Sequence, residues 1–228
     1  VTMVGANSPS ALASRPIRIL LADEIDRYPA TAGNEGDPLL LAGKRLATFW
    51  NKKEVCVSTP TIKETSRIAV EFEHSTQEEW NVPCPVCGAF TPLTWGNIRF
   101  DKNNLDEIGH YCPACKKISS EIEWKEKSQK GKFVAKYPDR KVRGFHLNAL
   151  ASLFVEWREI VEKFLTANEE KKKGNIELLK AWTNTEMGET WEEDGQQIET
   201  DDLYARREEY GCEVPEEVLV LTAGVDVQ

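Results

Sequence analysis

The sequence predicts a mixed α/β fold with a small cysteine-rich ribbon set into it. Three observations carry this reading. Short β-rich apolar runs at residues 17–22 and 54–58 alternate with helical patterns at 38–50 and 64–74. Two C-x-x-C pairs, Cys84-Pro85-Val86-Cys87 and Cys112-Pro113-Ala114-Cys115, lie a hairpin and a loop apart. The second half is then mainly helical, at 154–168 and 175–185, before a closing apolar run at 218–227.

Taken in order, Ile17-Arg18-Ile19-Leu20-Leu21-Ala22 reads as a buried strand that delivers Asp23 and Glu24 at its C-terminal tip. Asp26-Arg27-Tyr28-Pro29 turns the chain, and a Gly/Asp-rich loop ends at Asp37, which caps the first helix with Pro38 in its first position. The second strand closes in Ser58-Thr59-Pro60. The ribbon is expected over about residues 80–118, followed by a charged helix at 119–130 and strands at 132–137 and 142–147. The helix at 175–185 is entered past Lys171-Lys172-Lys173, a further helix is expected at 199–210, and 218–226 forms the last strand.

A chain of 228 residues can bury a real core in one or two domains, and 40% hydrophobic with 29% charged residues is ordinary globular composition. A net charge of −9 argues against a protein that coats nucleic acid, although a local basic surface remains compatible with DNA work. No apolar run approaches the roughly 18 residues of a membrane span, and no signal peptide is visible. The chain starts without Met and stops inside an apolar run, the expectation for a piece of a longer protein.

The four cysteines carry the most specific chemistry. A C-x-x-C turn aims two thiolates at one centre, the residue after the second Cys often needs the open backbone of Gly, as at Gly88, and a second such turn completes a tetrahedral all-thiolate Zn²⁺ site. The spacer exceeds the usual roughly 15–20 residues, and the polar run 101–106 accounts for the excess. Redox dithiols are the alternative, but they belong in a thioredoxin-like βαβ setting that 82–117 does not resemble. Cys56 and Cys212 are left over, a pattern suited to a reducing cytosol. His110, two residues before Cys112, reads as a loop histidine and not a ligand. His146 reads as a satisfied buried imidazole on a strand more readily than as a DNA-facing group, and Lys171–173 as a solvated helix start that is also the best compact basic candidate for a phosphate contact.

An apolar strand ending in Asp-Glu has the form of a Walker B element, in which the Asp holds the Mg²⁺ water shell and the Glu polarises the attacking water. By itself the pattern is common, and a solvated strand end explains it as well. A following strand that ends in hydroxyls, Ser58-Thr59, is what a γ-phosphate sensor would need, against an ordinary strand exit before Pro60.

The order of motifs resembles the GpA family, the large terminase subunits of lambda-type tailed phages. The resemblance rests on Leu20-Leu21-Ala22-Asp23-Glu24-Ile25-Asp26-Arg27-Tyr28-Pro29, Ser58-Thr59-Pro60-Thr61, the Val82–Gly88 knuckle, Gly144-Phe145-His146-Leu147-Asn148-Ala149-Leu150, Trp182-Thr183-Asn184-Thr185-Glu186-Met187-Gly188-Glu189-Thr190-Trp191 and Leu221-Thr222-Ala223-Gly224-Val225-Asp226. It covers nearly the whole chain in collinear order. It implies a P-loop ATPase of the additional-strand (ASCE) type joined to an RNase H-like endonuclease. On that basis residues 1–150 are the back part of the ATPase sheet with the ribbon as a satellite, 151–215 a helical linker region, and 216–228 the start of the nuclease.

The same resemblance implies a motor that hydrolyses ATP with Mg²⁺, cuts concatemeric double-stranded DNA with Mg²⁺ or Mn²⁺, and drives it into a procapsid in the host cytoplasm. Its partners would be a small terminase subunit, the portal protein and further copies of itself, with no membrane. Asp23 would be the Mg²⁺ ligand, Glu24 the hydrolytic glutamate, Ser58 and Thr59 the coupling motif, and Asp226 the first nuclease aspartate. The sequence contains no G-x-x-x-x-G-K-[ST], so this stretch alone is expected neither to turn over ATP nor to cut DNA. Two other readings stay open at this point: a helicase-like P-loop ATPase with a zinc ribbon, and a non-catalytic zinc-ribbon adaptor. A P-loop lysine in the upstream reading frame and further acidic strand ends downstream would favour the terminase.

Overall fold

The computed structural model describes residues 1–192, which form one compact unit. The predicted helix at 199–210 and strand at 218–226, with Asp226 and Cys212, lie outside the described residues. The observed architecture is mixed α/β.

A short helix α1 (Pro9–Ala13) precedes strand β1 (Ile19–Asp23), helix α2 (Pro38–Lys44), strand β2 (Lys53–Val57) and helix α3 (Arg67–His74). Strands β1 and β2 pair in parallel, with Asp23 opposite Val57. α2 starts as the sequence dictates, the Asp37 carboxylate accepting from the Leu39 and Leu40 N–H groups with Pro38 in the first turn, whereas α3 starts three residues later than expected, at the cap where Ser66 Oγ accepts from Ala69 N–H. α2 is shorter than the 38–50 expected, because the chain breaks into turns from Arg45 and leaves Trp50 exposed. Nor is β1 the buried strand expected at 17–22. Leu21 is 73% exposed, and Ile19, Val55 and Val57 are also open to solvent, since no further strand or helix among the described residues covers that side of the two-stranded sheet.

The ribbon region begins with β3 (Glu78–Pro83), which pairs antiparallel with β4 (Phe90–Pro92) and β8 (Lys132–Ala135) and parallel with β9 (Phe145–His146). A second sheet runs β5 (Ile98–Asp101), β6 (Asn104–Tyr111), β7 (Ile118–Ser120), and the polar stretch 101–106 is the tip of its first hairpin. Helix α4 (Glu121–Ser128) begins with a capping box in which Ser120 and Glu123 satisfy each other's backbone N–H groups. α5 (Trp157–Lys172) and α6 (Glu177–Thr185) complete the described fold.

The ribbon is not a satellite. Val82, Cys84, Leu93, Ile98, Ile108 and Cys112 share one buried core with Trp124 of α4, Trp157, Ile160 and Val161 of α5, and Trp182 of α6. Each indole that enters this core is large enough to bind two layers at once. Trp182 stacks edge-on to Trp95 at 4.7 Å and gives its N–H to the Ile160 carbonyl, while the Trp157 N–H goes to the Leu150 carbonyl. Lys171 and Lys172 sit in the last turn of α5 instead of starting α6, where the helix dipole favours cations. Lys172 and Lys173 are paired with Glu169 and Glu170.

Candidate active site and metal centre

Strand pairing builds the first site. Because β1 and β2 run parallel with Asp23 opposite Val57, the residues that follow, Glu24 and Ser58, leave the sheet side by side. Asp23 is exposed at the strand end, and its carboxylate makes no ion pair among the described residues. Glu24 takes the left-handed conformation, φ 55° and ψ 46°, and opens a 3-10 turn at Ile25–Arg27. For a residue with a Cβ this backbone is strained. Arg27 Nε donates to Glu24 Oε2 at 3.0 Å, and Thr59 Oγ1 approaches Glu24 Oε1 at 3.5 Å, the outer limit of a hydrogen bond. Ser58 Oγ accepts the Asp26 N–H at 3.2 Å and donates to the Thr59 carbonyl.

Asp26, read in the sequence only as part of a turn, organises this corner. Its Oδ2 accepts from both N–H and Oγ1 of Thr61 at 3.0 Å, and its Oδ1 accepts the Ile68 N–H at 2.8 Å. The carboxylate thus ties the tip of β1 to the exit of β2 and the first turn of α3. Behind it, Tyr28 has its hydroxyl pKa raised, first by burial and then by the proximity of Cys56 and Asp23. Burial, helped by Glu54 and Glu71, pushes the Cys56 thiol up to about 11, so this half-buried cysteine is a poor nucleophile at neutral pH.

Thr61 also faces the other way. Its carbonyl accepts from Asn184 Nδ2 at 2.8 Å and from the Trp191 N–H at 2.9 Å. The second Asn184 N–H goes to the Glu189 carbonyl, so this nearly buried amide closes the loop after α6 on the segment that follows Ser58-Thr59. His146 Nε2 lies 2.9 Å from the Met187 carbonyl, so the imidazole is satisfied, although it is half-buried and not the buried ring expected. Ser58, Thr59, Phe72, His146, Asn184 and Glu189 line a cleft of about 560 Å³. Sequence separations of 35 and 123 residues hide the Asp26–Thr61–Asn184 chain from any local motif.

The second site is the cysteine centre. The Sγ atoms of Cys84, Cys87, Cys112 and Cys115 all lie within 4.8 Å of one another, and all four cysteines are free thiols. Cys84 to Cys115 is 3.8 Å and Cys87 to Cys112 is 3.9 Å, close to the ~3.8 Å edge of a tetrahedron with metal–sulfur bonds of about 2.3 Å. The two knuckles are near copies. The Gly88 N–H reaches the Cys84 carbonyl in the first, and the Lys116 N–H reaches the Cys112 carbonyl in the second. Both turns need a left-handed residue after the second cysteine: Gly88 has φ 74°, and Lys116 accepts the cost at φ 63°. A donor set of four thiolates, with one Cys84 sulfur also accepting the Val86 N–H, fits a soft or borderline divalent metal.

His110 is not part of that centre and not in a loop. It is fully buried in β6, stacked edge-on against Trp124 at 4.8 Å, and it accepts the Thr94 N–H at 3.4 Å through Nε2. Burial holds its pKa down at about 4, so it is a neutral core residue.

Residues 1–133 match the family described as phage terminase large subunit gpA, ATPase domain, and residues 142–228 match terminase large subunit gpA, endonuclease domain. The chain belongs to the gpA family of phage terminase large subunits. It is 27% identical over 244 residues to the terminase large subunit of Enterobacteria phage P21, covering 94% of this chain and 36% of that protein. It is likewise 27% identical over 236 residues to the terminase large subunit of Escherichia phage lambda, covering 90% of this chain and 35% of the relative. The chain therefore spans about a third of the length of these relatives. No solved structure matches it. In gpA terms, the Asp23–Thr59 corner and the whole cysteine centre fall within the ATPase match, and Asn184 and His146 fall within the endonuclease match.

Proposed function

We propose that this chain is the part of a gpA-type motor in which the ATPase passes into the nuclease, and that the full-length protein hydrolyses ATP to translocate double-stranded DNA into a procapsid and cuts concatemeric DNA. The single observation that carries this reading is the pair of family matches in succession along one chain, ATPase then endonuclease. Neither a helicase-like ATPase nor a zinc-ribbon adaptor accounts for the second match.

In this reading the β1–β2 pair belongs to a P-loop sheet of the ASCE type, and 216–228 begins an RNase H-like nuclease. Residues 151–215 link the two. Asp23, with no competing ion pair among the described residues, is the carboxylate that would hold Mg²⁺, and the ion would supply positive charge at the γ-phosphate. Glu24 orients and polarises the attacking water. Ser58 and Thr59, which touch Asp26 and Glu24, carry the change at the γ-phosphate to Thr61 and Asn184. Asp226 is a Mg²⁺ or Mn²⁺ ligand of the nuclease, and the four cysteines hold one structural Zn²⁺. The partners are a small terminase subunit, the portal protein of the procapsid and further copies of the motor, in the host cytoplasm. Among the described residues no helix is long and apolar enough to cross a membrane.

The test is packaging by the full-length protein, read as DNA protected from nuclease inside portal-bearing procapsids. Protection should require ATP, and Asp226→Ala should abolish cutting of concatemers while sparing ATP turnover. Protection without ATP, or full cutting by Asp226→Ala, contradicts the reading.

A further inference from the structure

The chain is acidic overall, with 38 Asp and Glu against 29 Lys and Arg, but residues 125–143 carry eight basic side chains and two acidic ones. Position in the fold separates this segment from other charge-rich parts. Along α5 most cations are neutralised in place: Arg158, Lys163, Lys172 and the C-cap Lys173 each pair with a glutamate of that helix, and Lys171 alone makes no ion pair among the described residues. Lys130, Lys132, Lys136 and Lys141 are exposed and form no ion pair among the described residues. Arg143 is excluded, because its Nε and Nη2 donate to the Glu78 carboxylate, which neutralises its charge.

Lys130 stands in the turn before β8, Lys132 opens the strand, and Lys136 and Lys141 lie in the segment that follows it. Lys132 and Lys136 occupy alternate positions on the exposed side of the strand line, about 13 Å apart at ~3.3 Å per residue. That reach matches the roughly 12 Å between phosphate rows across a major groove. The loop is held stiffly at its base. Arg140 donates to the carbonyls of Glu73 and Ser75 at the end of α3, so its charge is fixed in place without being neutralised by a carboxylate. Its guanidinium lies 3.8 Å from the Tyr137 ring centroid, and Lys136 Nζ lies 5.3 Å from the same ring on its neighbour. Lys132 rests over Phe90 at 4.1 Å. Aromatic rings interleaved with uncompensated cations order the charges before a phosphate arrives, which lowers the entropy lost on binding.

We propose that Lys132, Lys136, Arg140 and Lys141 form a contact for the sugar–phosphate backbone of duplex DNA. This contact rests on the DNA-packaging reading for its partner and takes the place of Lys171–173, where Lys172 and Lys173 are spent on Glu169 and Glu170 and only Lys171 is left unpaired among the described residues. Because it reads phosphates and no base edges, it is indifferent to sequence, as a translocating motor requires.

The experiment measures binding of a fluorescein-labelled duplex DNA to the 228-residue chain by anisotropy across a salt series. Lys136→Ala with Lys141→Ala should weaken binding on the order of tenfold at low salt and reduce the slope of log K against log salt by about 2. Lys136→Arg with Lys141→Arg should restore both, and Lys172→Ala with Lys173→Ala, which removes cations already paired with Glu169 and Glu170, should change neither. An unchanged slope in the first variant overturns the contact, as does tighter binding of an acidic polypeptide or RNA than of duplex DNA. Its failure is distinct from failure of the packaging reading: full-length protein that packages DNA normally with Lys136→Ala and Lys141→Ala removes only this surface. Lack of ATP-dependent packaging with the slope change intact removes only that reading.

Discussion

Asp26 shows how much one side chain can fix that no motif announces. Its carboxylate receives three donors from two other segments, and each is a bond to a charged acceptor. Asp26→Ala should therefore lower stability by about 2–4 kcal/mol, read from the urea midpoint, because two backbone N–H groups and a hydroxyl lose their partner together. Glu78 gives a second residue-scale expectation. Its side chain is only 6% exposed, and the bidentate Arg143 fork, aided by Thr76, holds its pKa below the ordinary 4.5. A depressed carboxylate pKa stabilises the fold above the unfolded value and loses that contribution as pH falls through the folded value. Arg143→Ala should thus destabilise the protein at pH 7 and flatten the loss of stability between about pH 5 and pH 3. An unaltered acid profile would mean that the pair contributes nothing. Such pairs are invisible in sequence because their partners lie 65 residues apart, whereas Asp23-Glu24 and the C-x-x-C turns are visible because their chemistry is local.

Among the elements, caps and turns were legible and lengths were not. Asp37-Pro38 starts its helix where the sequence places it, since a cap is a two- to four-residue device, whereas Ser66 and Ser120 start helices two to three residues later than the 64 and 119 expected. The strand expected at 142–147 shrinks to Phe145–His146, for only that stretch meets β3. The ribbon's position against α4 and α5 was not legible at all, because a structural cysteine site shows how a segment closes and not what it packs on. This changes the expected effect of metal loss. With Cys84 and Cys112 in the same core as Trp124 and Trp157, chelation should release one Zn²⁺ per chain and disturb far more than the ribbon. Native mass spectrometry before and after chelation gives the metal count, and tryptophan emission and melting temperature give the consequence. A chain that is metal-free as prepared, or whose melting temperature ignores chelation, contradicts a structural Zn²⁺.

Across the whole described unit, one continuous set of hydrogen bonds runs from the tip of β1 through Asp26 and Thr61 to Asn184 and the Trp191 backbone. It begins in the ATPase match and ends in the endonuclease match. In the proposed motor, that continuity would be a physical route between the two activities, with Glu24 as the residue whose surroundings change when ATP is hydrolysed. The proposed role rests on one side chain, whose left-handed backbone and contacts to Arg27 and Thr59 support it. The most direct measurement is steady-state ATP turnover and nucleotide affinity of the full-length protein carrying Glu24→Gln, beside Asp23→Asn. Glu24→Gln should bind ATP with unchanged affinity and lose turnover by several orders of magnitude, because an amide cannot act as a base. Asp23→Asn should instead weaken Mg²⁺-dependent binding. Normal turnover in Glu24→Gln would contradict the account.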